Sequence, residues 1–201
     1  MMQKLSSDMV TVLLLVELNG KRRLSHLFTE AQRRKLVLFF FERMVRVLDG
    51  FTIYAATPDD LSENGYCVIR DEWGDINKVI TKARERVQAD LLILPCDLPF
   101  VECRDIDELL RGKSIVIVPS QDGGTNALIL PRDVRFETQF GKNSFRKHLD
   151  LLKSKNLAHS IYESDNFRDI DTEEDVAWAL EHRKDSEFVK FLKEELENYF
   201  I

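Results

Sequence analysis

The chain has 201 residues, 44% of them hydrophobic and 32% charged, with a net charge of −6 and a pI near 5.3. This is an ordinary globular composition with enough apolar residues for a core, and its acidity argues against a general nucleic-acid binder. No apolar run approaches the roughly 20 residues of a membrane span, and the cysteines Cys67, Cys96 and Cys103 are odd in number and lack metal-site spacing, so a reduced, cytoplasmic protein with no membrane partner is expected.

Met1 to Asp8 is polar and reads as a flexible tail. Val10 to Leu18 is apolar enough for a buried strand, and Asp8 just before it makes a poor signal sequence. Asn19-Gly20 turns the chain into Lys21-Arg22-Arg23, which is either a cradle for phosphate or a solvated basic turn. Neither the P-loop pattern nor the dinucleotide-binding glycine pattern is present. Ser25 or Thr29 would cap a helix over Glu30 to Leu48, whose Leu36, Phe39, Phe40 and Val47 recur at helical spacing as core residues. Asp49-Gly50 ends it. Strands are predicted over Phe51 to Ala56 and Tyr66 to Ile69, with a loop between them and a helix over Ile76 to Gln88. Asn77, near the start of that helix, is a capping residue or a ligand contact, and local chemistry favours capping.

Leu91 to Pro99, LLILPCDLP, organises the rest. Its apolar run, bounded by turn residues, reads as a strand buried on both faces in the middle of a parallel sheet. Ligands bind at the carboxyl ends of such strands, and Asp97 stands there between two prolines. Asp97 could hold a hard cation such as magnesium, or begin a turn. Cys96 and Cys103 read as small core or loop residues. A helix follows over Asp105 to Leu110. Strands alternating with helices at this spacing predict an α/β protein with a mostly parallel sheet and helices on both faces, a three-layer sandwich.

Ser114 to Pro119 is another strand, QDGGTN at Gln121 to Asn126 a polar glycine-rich loop, and Ala127 to Leu130 apolar again, as in a hairpin. Gly123-Gly124 lets backbone approach a ligand, and Thr125 and Asn126 offer a hydroxyl and an amide. In FGKNSFRKHL, Gly141 and Ser144 precede a helix whose start suits a small anion, although Ser144 as a simple cap has the same geometry. His148 reads as a packed or surface histidine. Ile161 to Tyr162 is a last short strand. Asp169-Ile170-Asp171, if extended, points two carboxylates to one side, as a metal site needs. The same acids also precede a helix start at Thr172, where the dipole favours them. The C-terminal stretch 185–201 is expected to form a further amphipathic helix.

KRRLS at Lys21 to Ser25, GDIN at Gly74 to Asn77, PCDLP at Pro95 to Pro99, DGGTNAL at Asp122 to Leu128, FGKNSFRKH at Phe140 to His148 and RDIDTEEDV at Arg168 to Val176 occur in this order. Together they resemble the 2-phospho-L-lactate guanylyltransferases of coenzyme F-420 biosynthesis, over Val12 to about Leu180. The resemblance implies one nucleotidyltransferase domain over 1–201, of the nucleotide-diphospho-sugar transferase, or glycosyltransferase-A-like, type. The implied reaction joins GTP to 2-phospho-L-lactate with release of pyrophosphate, phosphoenolpyruvate replacing the lactate in bacterial relatives. It implies that Asp97, Asp169 and Asp171 hold magnesium and are catalytic. Lys21, Arg23 and Asn77 would meet the nucleotide, and Thr125, Asn126, Gly141 and Ser144 the phosphorylated acid. The product would pass to the next transferase of the pathway, and a homodimer is compatible with the sequence.

One departure stands out. Relatives usually carry P-x-K near the end of the first strand, and the matching positions here, Leu14 and Val16, are both apolar. A non-catalytic nucleotide- or partner-binding member, or a transferase for another nucleotide or phosphorylated acid, are therefore the alternatives to the guanylyltransferase.

Overall fold

The computed structural model describes residues 10–62, 64–112 and 114–197. The expected tail over residues 1–8 lies outside them. Within them, seven strands form one sheet: β1 (Val10–Leu15), β2 (Thr52–Thr57), β3 (Cys67–Arg70), β4 (Asp90–Pro95), β5 (Ile115–Pro119), β6 (Thr125–Leu130) and β7 (His159–Ile161). The order across the sheet is β3-β2-β1-β4-β6-β5-β7. β4 is the middle strand, as its unbroken apolar run predicts, and Leu91 to Leu94 are all buried. It runs parallel to β1 but antiparallel to β6. β6 alone opposes the common direction, because the Gln121–Gly124 turn folds it back on β5. The expected hairpin is thus present, and its second strand is inserted into the main sheet beside β4.

Alternate residues of each strand face opposite layers, as the strand period requires. Val12, Leu14, Leu92, Leu94, Val116 and Ile129 pack on one side against α1 (Glu30–Val47), α3 (Cys103–Leu109), α5 (Glu173–His182) and α6 (Glu187–Glu197). Leu13, Leu91, Ile93, Ile117 and Leu128 pack on the other against α2 (Ile76–Arg86) and α4 (Ser144–Ser154). The result is the expected three-layer α/β sandwich. Among the described residues no helix is long and apolar enough to cross a membrane.

Local chemistry fixes the element ends. Thr29, not Ser25, caps α1, in a reciprocal pairing with Gln32. Asp75, not Asn77, caps α2 by accepting from the Asn77 backbone N–H at 3.0 Å. α3 begins at Cys103, two residues before the expected Asp105, because the Asp105 carboxylate reaches back to the Glu102 N–H. Thr172 caps α5 and pairs with Asp175. Thr125 and Asn126 open β6 and do not belong to the preceding loop. Ser144 is the first residue of α4. The capping position belongs to Asn143, held in the left-handed region at φ 57 with no side-chain cap bond.

Candidate active site

The carboxyl ends of β1, β2 and β4 open on a cleft of about 650 Å³. Its floor begins with the turn after β1. The Gly20 N–H donates to the Glu17 carbonyl at 3.0 Å, and a Cβ on Gly20 would stand 2.9 Å from that oxygen, so the turn closes only around glycine. Asp59, from the loop after β2, accepts from the Leu18 N–H at 2.6 Å and from the Asn19 amide at 2.9 Å. Lys21 then takes a left-handed conformation at φ 58, and its side chain enters the protein, only 7% exposed.

There the Lys21 ammonium donates to Asp97 Oδ2 and, at 2.5 Å, to Asp171 Oδ1. Burial alone would push its pKa down, but the charges of Asp97 and Asp171 outweigh burial and hold it above the ordinary lysine value. The other Asp97 oxygen, Oδ1, is buried and has no hydrogen-bond partner. The Ile170 N–H donates to the Asp97 carbonyl at 3.3 Å, stitching the two acidic segments together, with Ile170 itself fully buried.

Asp169 faces the same cluster. The Asn126 amide donates to Asp169 Oδ1 at 3.0 Å and to the Phe167 carbonyl at 2.8 Å. Burial, then the neighbouring charges of Asp97 and Asp171, raise the Asp169 pKa from 3.8 to about 6, against the opposing pull of the Asn126 hydrogen bond and Lys21. The segment is braced from behind by Arg168, which pairs with Asp175 at 2.8 Å and lies over the Trp178 ring at 4.6 Å.

A second group of polar side chains joins the start of β6 to the start of α4. The Phe145 N–H donates to the Gly123 carbonyl at 3.2 Å, and the Ser144 N–H to the Gly141 carbonyl at 3.0 Å. Gly141 sits at φ 121, a conformation that side chains rarely adopt. Thr125 Oγ1 lies 3.1 Å from both Ser144 Oγ and His148 Nδ1, and His148 Nε2 accepts the Gln139 N–H at 2.8 Å. His148 is therefore the packed residue of the two alternatives, buried against Phe136 and Phe140, and it is hydrogen-bonded through both ring nitrogens. Burial, and the charge of Lys147, lower its pKa to about 4.

The structure thus gathers Lys21, Asn126, Asp97, Asp169 and Asp171 into one cluster, and Thr125 and Ser144 into another, with Gly141 in the turn beside it. Asn77 goes elsewhere. Its Oδ1 accepts the Phe140 N–H at 2.8 Å and its amide donates to the Phe140 carbonyl at 3.2 Å, so it pins the turn before α4. Arg22 and Arg23 lie exposed on a short 3-10 turn, Arg22–Leu24. Of the basic triplet, only Lys21 turns inward. Sequence reading missed Glu17 and Asp71 on the cleft wall. Asp71 immediately follows β3 as Asp97 closely follows β4, and an acid just beyond a strand end was the available signal.

Among the described residues the cleft wall carries Glu17, Asp71, Asp97 and Asp171 against the single cation Lys21. The acids present all-oxygen donors, including the unpartnered Asp97 Oδ1, and that chemistry suits a hard divalent ion. Among the described residues, no three His, Cys, Asp or Glu side chains are gathered closely enough to hold a metal as they stand, and Lys21 occupies the space between Asp97 and Asp171.

The sequence profile of the family described as "Guanylyl transferase CofC like" matches residues 9–196. A 2-phospho-L-lactate guanylyltransferase from Methanocaldococcus jannaschii is 30% identical over 184 residues, 86% of this chain and 82% of that one. Its counterpart from Methanocaldococcus infernus is 31% identical, over 87% and 85% of the two chains. Among solved structures, a Desulfovibrio desulfuricans protein assigned to the nucleotide-diphospho-sugar transferases superposes with a TM-score of 0.76 at 15% identity, covering 92% of this chain and 94% of that one. A 4-diphosphocytidyl-2C-methyl-D-erythritol synthase from Anaerococcus prevotii gives a TM-score of 0.60 at 11% identity, covering 89% and 97%. At such identities the two structures establish the fold alone.

Proposed function

The chain belongs to the CofC-like guanylyl transferase family, and from that premise we propose that it joins GTP to 2-phospho-L-lactate and releases pyrophosphate. A phosphate oxygen of the acid attacks the α-phosphorus of GTP. A new P–O bond forms as the bond from the α-phosphorus to the β-phosphate oxygen breaks, and pyrophosphate leaves. The nucleophile is already ionised near neutral pH, so no side chain need accept a proton.

The observation that carries this reading is the meeting of Asp97, Asp169 and Asp171 around Lys21, at the open carboxyl end of the sheet. An acidic wall facing an anionic triphosphate is repulsive unless cations come with the nucleotide. Asp97, Asp169 and Asp171 would hold magnesium, which when bound screens the two anionic reactants and stabilises the departing charge. Lys21, released from a carboxylate, would meet a phosphate oxygen of the nucleotide. Asn126 holds the Asp169 carboxylate at a fixed position. Thr125, Ser144 and the Gly141 turn would hold the phosphorylated acid, so that the attacking oxygen is positioned rather than activated. Asn77 would serve that same turn through Phe140.

The specific acid is 2-phospho-L-lactate in this reading because the matched relatives carry that substrate in their names. Phosphoenolpyruvate is the competing acid. A second reading, a family member that binds without transferring, draws on one feature: among the described residues Lys21 is the only cation on the cleft wall, and it is already paired twice. Mixing the protein with GTP, magnesium and each acid in turn, and following the phosphorus NMR spectrum, tests both. New diphosphodiester resonances with 2-phospho-L-lactate are expected. Their appearance only with another acid would move the substrate assignment, and their absence with all acids would favour the binding reading.

A further inference from the structure

The contact between Thr125, Ser144 and His148 has a definite number of protons. His148 Nε2 accepts the Gln139 backbone N–H at 2.8 Å, so it carries no proton of its own. The neutral ring must then be protonated at Nδ1, which lies 3.1 Å from Thr125 Oγ1 and donates to it. Thr125 Oγ1 lies 3.1 Å from Ser144 Oγ. The three groups hold three protons: one on the ring and one on each hydroxyl. The two contacts between them use two. One hydroxyl proton is left over, and it must point out of the network.

The opposite tautomer would reverse this outcome. With the proton on Nε2, Thr125 would donate to the ring, Ser144 would donate to Thr125, and only lone pairs would remain to face a ligand. A backbone N–H, which has no choice of role, thus sets the polarity of two side chains on neighbouring elements. All three side chains are buried, with His148 0%, Ser144 1% and Thr125 7% exposed, so water does not scramble the arrangement. Thr125 keeps the small exposed remainder.

We propose that His148 is a positioning residue whose fixed tautomer turns the Thr125–Ser144 pair into a hydrogen-bond donor, selecting an anionic oxygen as its ligand. Resting on the proposed function, that oxygen belongs to the phosphate or carboxylate of the phosphorylated acid. His148 touches no reacting atom in this account. It sets which way the hydroxyls point.

Two measurements test the proposal. The first needs no turnover: a nitrogen-15 NMR spectrum of the histidine rings at neutral pH should show His148 protonated at Nδ1 and bare at Nε2, and a proton on Nε2 would overturn the proposal. The second compares His148→Phe with His148→Asn in the pyrophosphate-release reaction. Phenylalanine fills the space without a donor, and it should raise the KM for the acid about tenfold, the loss of roughly one hydrogen bond to a charged group, with the KM for GTP unchanged. Asparagine returns an N–H toward Thr125 and should recover most of the loss. Equal effects of the two variants, or a fall confined to thermal stability, would overturn the proposal. Absence of pyrophosphate release from the unaltered protein would instead overturn the proposed function, and the NMR result would still decide the polarity of the hydroxyls.

Discussion

Replacing Lys21 with methionine keeps the length of the side chain and deletes the charge between Asp97 and Asp171. The Lys21 and Asp97 side chains are 7% and 17% exposed, so their pairing is largely shielded from water. Removing one partner of a buried ion pair costs about 3–5 kcal/mol, because the remaining charge is left uncompensated. Asp171 is 36% exposed, and solvent screening reduces its share to well under about 1 kcal/mol. The expected destabilisation of Lys21→Met is therefore about 3 kcal/mol, a fall in Tm of about 6–12 °C for a chain of this length. Thermal unfolding by circular dichroism measures it. The sign with pH follows from Lys21. Its folded pKa stands above the ordinary 10.5, so the stability it contributes is present in full below that value and is lost only as the pH rises above it, and the deficit should hold steady between pH 5 and 8. Millimolar magnesium should recover part of the loss if the acids accept the ion in place of the ammonium. A Tm equal to that of the unaltered protein at pH 8 would refute the view of Lys21 as the charge that holds the cluster together.

Asp169 gives a pH signature within the acid range. Its folded pKa of about 6 exceeds the ordinary 3.8, so the folded state binds more protons than the unfolded one between those values, and stability falls as the pH rises through that window. Asp169→Asn removes this cost and should be more stable than the unaltered protein above pH 7, by on the order of 2–3 kcal/mol, with the gap closing near pH 4. A constant gap across a metal-free urea series would contradict the assignment. Asp97→Asn and Asp171→Asn should each lower turnover by roughly 100-fold or more, as loss of a principal electrostatic stabiliser does; near-normal rates in either would remove that residue from the machinery. Asn77→Ala breaks both bonds to Phe140 and should cost about 2 kcal/mol, raising the KM for the acid. A selective rise in the KM for GTP would show that Asn77 meets the nucleotide directly.

The fold was legible because its signals are local. LLILP is apolar without alternation, so it had to be buried on both faces, and it forms the central strand. The position of β6 was not legible: a glycine turn predicts a hairpin, but its insertion beside β4 depends on how Leu128 to Leu130 pack against Leu91 to Ile93. Asp97 was legible as an acid at a strand end, and Asp169 and Asp171 as a pair spaced by one residue, but only the family resemblance joined the three. Lys21 was recognised as basic but not as buried, since its partners lie 76 and 150 residues away. Asn77 misled for the same reason. Its neighbours suggested a cap, whereas its partner Phe140 lies 63 residues along the chain. His148 gave no local sign at all, because its role comes from a backbone N–H and a hydroxyl that only the folded chain brings to its two nitrogens.

Pyrophosphate release in the presence of magnesium tests the central claim most directly. GTP, ATP and CTP would each be offered with 2-phospho-L-lactate and with phosphoenolpyruvate. The account predicts release with GTP and 2-phospho-L-lactate, abolished by a chelator and reduced at least about 100-fold in Asp97→Asn. Release that persists undiminished in the chelator and in Asp97→Asn, or none from any pair with folded protein, would contradict it.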